Sequence, residues 1–213
     1  MAETKVCGLN DSTGVAAALH GQARYLGFVF FAKSPRNVSP ERAAALAAPA
    51  ADRADTVAVT VDADDETLAI IAATLKPDWI QLHGREDPAR AVAVRRFARK
   101  GVIKAIGVAR ADDLAAAGRF TSAAEALMFD AKAPEGASLP GGNGAAFDWQ
   151  MLLGRRFERP WFLSGGLTPE NVAEAVAASG AGAVDVSSGV ESAPGVKDAE
   201  RIARFLTAAR SSR

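Results

Sequence analysis

Residues 102–130, VIKAIGVARADDLAAAGRFTSAAEALMFD, contain the repeating unit from which the fold of this chain follows. An apolar, β-branched run at Val102–Val108 precedes an Ala-rich segment, Ala111–Gly118, whose charges fall at helical spacing. A second apolar run, Ala126–Asp130, comes next. Short apolar runs predict buried strands and the segment between them predicts a helix, so the unit is strand, helix, strand.

The same alternation extends along the whole chain. The predicted strands are Lys5–Gly8, Tyr25–Phe31, Thr56–Val61, Trp79–His83, Val102–Val108, Ala126–Asp130, Trp161–Ser164 and Ala183–Ser187. The predicted helices are Ser12–His20, Pro40–Ala48, Asp65–Leu75, Pro88–Arg99, Ala111–Gly118, a short piece near Phe147–Leu153, Pro169–Ser179 and Lys197–Ala209. Hydroxyl caps followed by proline and an acid support two helix starts, at Ser39-Pro40-Glu41 and Thr168-Pro169-Glu170.

Eight such units, at about 26 residues each, predict an α/β fold: a single-domain, eight-stranded parallel (βα)8 TIM barrel over residues 1–213. A doubly wound open sheet would show the same alternation. However, the GxGxxG fingerprint expected after its first strand is absent, because the turn at 7–11 reads CGLND. The Gly- and Pro-rich stretch Ala131–Ala146 fits either a mobile cover over an active site or a surface insertion.

The amino-acid composition indicates the cellular compartment and the classes of partner to expect. The chain has 213 residues with 25 Lys+Arg and 25 Asp+Glu, so its formal charge is zero and favours neither nucleic acid nor an anionic membrane as partner. Its one cysteine excludes an internal disulfide. No signal peptide and no apolar run near ~18 residues is visible, which predicts a cytoplasmic protein. The oligomeric state, monomer or homodimer, stays open.

Polar residues cluster where the predicted strands end, which is where barrel enzymes carry their reactive groups. Alternation within each strand turns one set of these side chains toward the barrel axis. This set comprises Cys7, Gln81, His83, Asp130, Asp185 and Ser187. From position alone, Cys7 could equally be a buried structural thiol, and Asp130 could cap the following loop.

Two glycine-containing loops, after the seventh and eighth strands, predict a phosphate site. Loops at these two positions commonly hold phosphate in barrels, and glycine lets backbone amides approach an anion closely. The predicted phosphate-binding residues are Gly165, Gly166, Ser187, Ser188 and Gly189.

Motifs in one order along the chain resemble those of the phosphoribosylanthranilate isomerases. They are KVCGL at Lys5–Leu9, GFVF at Gly27–Phe30, KSPR at Lys33–Arg36, QLHG at Gln81–Gly84, Phe129-Asp130, FDW at Phe147–Trp149, LSGGL at Leu163–Leu167 and DVSSGVE at Asp185–Glu191. One departure falls in the loop after the sixth strand, where Asn143 stands at the position of a small hydroxyl residue.

The resemblance implies an Amadori rearrangement of a phosphorylated ribosylamine, without metal or cofactor. Asp130 is then the expected general acid and Cys7 the expected general base. Arg36 is expected to bind the anthranilate carboxylate, since its planar fork matches a carboxylate; the alternative is a solvated loop arginine. Gln81, His83 and Asp185 are expected to contact or orient the substrate.

Three other functions compete with this one. A ribulose-phosphate epimerase would usually need a metal held by His and acidic residues, which is hard to build from His20 and His83. An indole-glycerol-phosphate synthase would be expected to supply catalytic Lys and Glu at strand ends, an arrangement that the sequence does not show. A non-catalytic barrel that senses a phosphorylated metabolite would need neither Cys7 nor Asp130.

Overall fold

The computed structural model describes residues 1–132, 141, 144 and 146–211. Eight parallel strands close into a barrel in chain order, which confirms the predicted fold class. The strands are β1 (Glu3–Cys7), β2 (Tyr25–Phe30), β3 (Asp55–Thr60), β4 (Trp79–Leu82), β5 (Gly101–Val108), β6 (Ala126–Ala131), β7 (Trp161–Leu163) and β8 (Ala183–Val186). Closure is visible at Lys5, which lies opposite Tyr25 on one side and Asp185 on the other.

Helices cover the outside of the barrel. The α-helices are α1 (Ser12–His20), α2 (Pro40–Ala47), α3 (Asp65–Thr74), α4 (Pro88–Val94), α5 (Val172–Ser179) and α6 (Ala199–Ser211). The 3₁₀ segments are Ala48–Ala50, Arg95–Phe97, Ala111–Phe120, Trp149–Leu152 and Ser188–Val190. The helix predicted after β5 is therefore a 3₁₀ helix. Side-chain caps begin at least four of the α-helices, from Asp11, Ser39, Asp64 and Asp87.

Strand residues alternate between two apolar cores, as the sequence pattern predicts. Side chains such as Val6, Leu127 and Phe129 pack outward against the helices. Inward-facing side chains fill the barrel, with Tyr25 and Phe162 meeting edge to face at a ring-centroid distance of 5.1 Å. The interior of the barrel is thus packed with side chains, as in other barrels of this class.

After β7 one local prediction is wrong, and after β8 the structure contains an element for which no prediction was made. The helix expected from Pro169 begins at Val172, because Thr168 opens a turn in which its N–H donates to Asn171 Oδ1 at 2.8 Å. After β8 the chain forms a small antiparallel hairpin, β9 (Glu191–Ala193) and β10 (Val196–Lys197), that the sequence pattern did not predict.

The loop predicted after the sixth strand falls only in part among the described residues. Most of the predicted loop, residues 133–140, 142, 143 and 145, lies outside them, and so does the departure at Asn143. Among the helices that are described, none combines the length and apolar character needed to cross a bilayer.

A cluster of paired charges lies at the amino-terminal face of the barrel. Asp55, the first residue of β3, is 5% exposed and accepts hydrogen bonds from Trp79 Nε1 (2.9 Å), Lys100 Nζ (2.7 Å) and Arg24 Nη1 (3.0 Å). Burial alone raises the pKa of this carboxyl, but the bonds from Lys100 and Trp79 bring it below its ordinary value. The cluster joins four consecutive strand starts.

We expect Asp55→Asn to lower the free energy of unfolding at neutral pH by about 1–3 kcal/mol, because charge-assisted bonds are lost. A lowered folded-state pKa stabilises the protein above the unfolded-state pKa, and this stabilisation is lost as the pH falls through the folded-state value. The difference from wild type should therefore shrink below about pH 4. Urea unfolding from neutral to acidic pH measures it, with Asp112→Asn, at an exposed position, as control. A difference that does not change with pH would contradict this assignment.

Candidate active site

A cavity opens at the carboxyl ends of the barrel strands, the face on which barrel enzymes carry their sites. The predicted site residues that line it are Cys7, Arg36, Gln81, His83, Asp130, Gly165, Gly166, Asp185, Ser187 and Ser188. Gly189 is absent from the lining and packs behind it, against Leu167. The structure therefore places the Cys7 thiol, the Asp130 carboxyl and the two glycine loops around one cavity, whose opening is called the mouth below.

Cys7 is the last residue of β1, and its side chain is buried. Its Sγ and the Lys5 Nζ lie 3.2 and 3.1 Å from the point where a Cβ on Gly27 would sit. Glycine at this position thus leaves room for the ammonium beside the thiol. Burial raises the pKa of the Cys7 thiol, and the positive charges of Lys5 and Lys197 oppose part of that rise. The neutral thiol is therefore favoured over the thiolate.

Asp185 is held by the protein through both of its carboxylate oxygens. Lys5, which is 0% exposed, donates to Oδ1 at 2.8 Å, and the Ser164 hydroxyl donates to Oδ2 at 3.2 Å. Burial lowers the pKa of the lysine, yet the charge of Asp185 keeps it above its ordinary value. The pair therefore places a fixed cation next to Cys7.

Asp130 at the end of β6 is paired with His83 from the end of β4. The distance from Asp130 Oδ2 to His83 Nε2 is 3.1 Å, and Gln81 Nε2 lies 2.9 Å from His83 Nδ1. Gln81 Oε1 is buried without a hydrogen-bond partner among the described residues, so this amide has capacity for one more donor. A Cβ on Gly141 would lie 2.8 Å from Asp130 Oδ2, so backbone passes directly over the pair.

Arg36 is buried rather than solvated. It is 6% exposed, and its guanidinium forms two hydrogen bonds with the Glu191 carboxylate, at 2.7 and 2.9 Å. Because Arg36 also lines the cavity, it presents a fixed positive charge to a bound molecule.

The two glycine loops form one side of the mouth. Gly165 and Gly166 have φ of 91° and 65°, a left-handed conformation that favours glycine. Neither N–H has an acceptor within the described part of the chain. Ser187 and Ser188 face the same cavity from the loop after β8. Backbone amides and hydroxyls in this arrangement suit an anion.

We expect Gly189→Ala to raise KM for a phosphorylated substrate by ~10-fold or more, a loss typical of displaced hydrogen bonds. The added Cβ would lie 1.9 Å from the Leu167 carbonyl oxygen, so one of the two loops must move. Steady-state kinetics measure the change, and Gly182→Ala, where a Cβ meets nothing within 4 Å, is the matched control. Equal KM values for both variants would remove this loop contact from substrate binding.

Besides Lys5–Asp185 and Arg36–Glu191, sequence reasoning missed two further buried ion pairs. Lys104 Nζ lies 2.8 Å from Glu86 Oε2, and Glu86 also accepts the N–H groups of Asp62 and Gly84, which ties together the loops after β3 and β4. Lys197 Nζ contacts Glu191 Oε1 at 2.7 Å. The first pair could have been predicted from Lys104, a lysine inside an apolar strand. A buried lysine almost always has an acidic partner.

The comparison with known proteins agrees with this geometry. The family model of N-(5'-phosphoribosyl)anthranilate (PRA) isomerase matches residues 4–208. The chain belongs to this family. A relative from Caulobacter sp. (strain K31), named N-(5'-phosphoribosyl)anthranilate isomerase, is 55% identical over 209 residues, covering 98% of each chain.

Solved structures of the PRA isomerase family share the whole barrel. The crystal structure of phosphoribosyl anthranilate isomerase from Thermotoga maritima superposes with a TM-score of 0.88 at 34% identity, covering 99% of both chains. A crystal structure of phosphoribosyl anthranilate isomerase in complex with reduced 1-(o-carboxyphenylamino)-1-deoxyribulose 5-phosphate gives 0.85 at 32% identity, again over 99% of both chains. Membership of this family confirms the resemblance found in the motifs and sets aside the epimerase and synthase alternatives.

Proposed function

We propose that Asp130 and Cys7 are the general acid and general base for the isomerisation of N-(5'-phosphoribosyl)anthranilate, the reaction of tryptophan biosynthesis that names the family. One observation carries the assignment: the thiol and the carboxyl line the same cavity, beside the two glycine loops. Opening a sugar ring and then moving a proton from its C2 needs two such groups, positioned around one ribose.

The chemistry proceeds in two proton transfers. Asp130 gives its proton to the furanose ring oxygen while the C1–oxygen bond breaks, and the nitrogen lone pair forms a positively charged Schiff base. The Cys7 thiolate then takes the C2 proton, and the C–H electrons flow toward the iminium nitrogen to give an enolamine. Tautomerisation of the enolamine yields the 1-amino-1-deoxyketose. The iminium charge favours the thiolate at the moment it is needed, in addition to the charge of Lys5.

The remaining site residues hold the two ends of the substrate. In this proposal Gly165, Gly166, Ser187, Ser188 and Gly189 bind the phosphate. Arg36 binds the anthranilate carboxylate. Gln81, His83 and Asp185 orient the sugar and the acid. The ligand in the solved relative's complex carries both a carboxyl and a phosphate group, which supports two anion sites on either side of the reacting atoms.

The proposed reaction calls for no metal and no cofactor, because both steps are proton transfers. Its partner is a small phosphorylated sugar in the cytoplasm, with no role for nucleic acid or a membrane. We further propose that the active protein is a monomer or a homodimer.

We expect the purified protein to consume phosphoribosylanthranilate, seen as loss of its fluorescence. The rate should be the same with and without excess chelator. The reason is that the two proton-transfer groups are side chains of the chain itself. Continuous fluorimetry with and without EDTA measures this. Binding of the substrate without loss of fluorescence would contradict the proposal and favour a non-catalytic sensor of the metabolite. Loss of turnover in chelator would show that a bound metal takes part.

A further inference from the structure

Within the described residues, the guanidinium of Arg36 uses one of its two hydrogen-bonding edges. Nε donates to Glu191 Oε1 at 2.7 Å and Nη2 donates to Oε2 at 2.9 Å. Nη1 has no acceptor among the residues that the structure describes, and it is not one of the buried unpaired atoms. Since Arg36 lines the cavity, the edge formed by Nη1 and the outer hydrogen of Nη2 is the one that a ligand can reach.

Glu191 is itself fixed from several sides. Its carboxylate accepts hydrogen bonds from Lys197 Nζ at 2.7 Å and from the Gly195 N–H at 3.1 Å, in addition to Arg36. Burial raises the pKa of Glu191, but the hydrogen bond from Arg36 and the charge of Lys197 bring it below its ordinary value. The residue is therefore an ionised, immobile partner for Arg36 at neutral pH.

The hairpin that carries Glu191 packs directly on the loop that carries Arg36. Gly195, with φ of +80°, sits so close to this loop that a Cβ would lie 2.5 Å from the Pro35 carbonyl oxygen. Asn10 Nδ2 donates to the Gly195 carbonyl at 2.8 Å. Lys197 Nζ also donates to the Ser187 carbonyl at 2.9 Å, which links the hairpin to the loop after β8.

We propose that Glu191 is a positioning residue for carboxylate recognition: by occupying the Nε–Nη2 edge of Arg36, it aims the other edge at the aryl carboxylate of the substrate. The inference rests on the proposed role of Arg36. It assigns a function to the β9–β10 hairpin, which otherwise contributes no side chain to the cavity lining. Glu191 thereby selects for a ribosylamine whose aromatic ring bears an ortho carboxylate.

The test compares two substrates that differ only in that carboxylate. N-(5'-phosphoribosyl)anthranilate and the corresponding aniline compound, made from ribose 5-phosphate and aniline, are assayed by chromatography. We expect Glu191→Gln to lower kcat/KM for the carboxylated substrate by ~10- to 30-fold and Arg36→Met to lower it by ~100-fold, as for charge-assisted hydrogen bonds. For the aniline compound both variants should stay within ~3-fold of wild type, because no carboxylate is present to be misaligned.

The controls separate positioning from general loosening. Asn10→Ala removes another contact of the same hairpin without touching Arg36, and it should affect both substrates equally or not at all. If Glu191→Gln does not fold, Glu191→Asp can replace it, because aspartate is shorter by one methylene and withdraws the carboxylate from Arg36. This variant should show the same selective loss of kcat/KM for the carboxylated substrate. Equal losses on both substrates for the Glu191 variants would overturn the inference. If Arg36→Met lowered kcat/KM equally for both substrates, Arg36 would not be the residue that binds the carboxylate. In that case the proposed function of Arg36 would be wrong, whatever the Glu191 variants show.

Discussion

Asp130→Asn is expected to lower kcat for phosphoribosylanthranilate by at least ~100-fold, the usual range for removing a general acid. Asparagine keeps the shape of the side chain and an oxygen that can accept from His83, so substrate binding should change little. What it lacks is an acidic proton for the ring oxygen. The ring then has to open without protonation of its leaving oxygen.

The measurement is steady-state kinetics with separate kcat and KM. Asp112→Asn makes the same chemical change at an exposed position and should behave as wild type. A rise in KM with unchanged kcat would assign Asp130 to binding. Persisting turnover near the wild-type rate would remove it from proton transfer altogether.

Cys7→Ser is expected to lower kcat by at least ~100-fold, an effect typical of removing a proton-transfer group. The hydroxyl fits the space of the thiol, but it ionises far less readily, so a useful base no longer forms beside Lys5. The fold should be retained because the substitution is nearly isosteric. Turnover of this variant within a few-fold of wild type would contradict the assignment.

A second measurement exploits the fact that the chain has one cysteine. Alkylation by iodoacetamide should inactivate the wild type with one group added per chain, and phosphate-bearing ligands should slow the reaction. The alkylation rate should rise with pH through a value above the ordinary thiol pKa, because burial raises the pKa of Cys7. A thiolate already formed below neutral pH would contradict this account of the buried thiol.

The barrel could be predicted from sequence because its signal is local and repeated. Each strand is a short apolar run, and alternation within the run decides which side chains face the axis. Met128 and Asp130 show this, since both face inward while Phe129 packs outward. Such a pattern places residues on a face without knowledge of the partners they meet.

Partner choice is the part that the sequence could not supply. Arg36 and Glu191 lie 155 positions apart, so no spacing rule joins them. The β9–β10 hairpin is too short to give a periodic signal, and Thr168-Pro169 matches a helix start although Asn171 turns it into a separate loop. The motif that contains Glu191 could be recognised in the sequence. The function of its side chain could not, because it depends on Arg36, a partner that the sequence does not reveal.

The pairing of β1 with β8 has a consequence for biosynthesis on the ribosome. Lys5 in β1 is synthesised well before its partner Asp185 in β8, which follows it by 180 positions. Until then the lysine has no counter-ion from β8 and stays hydrated, since burying an unpaired ammonium is costly. The ribosome must therefore have synthesised β8 before the nascent polypeptide can assemble the proposed catalytic centre.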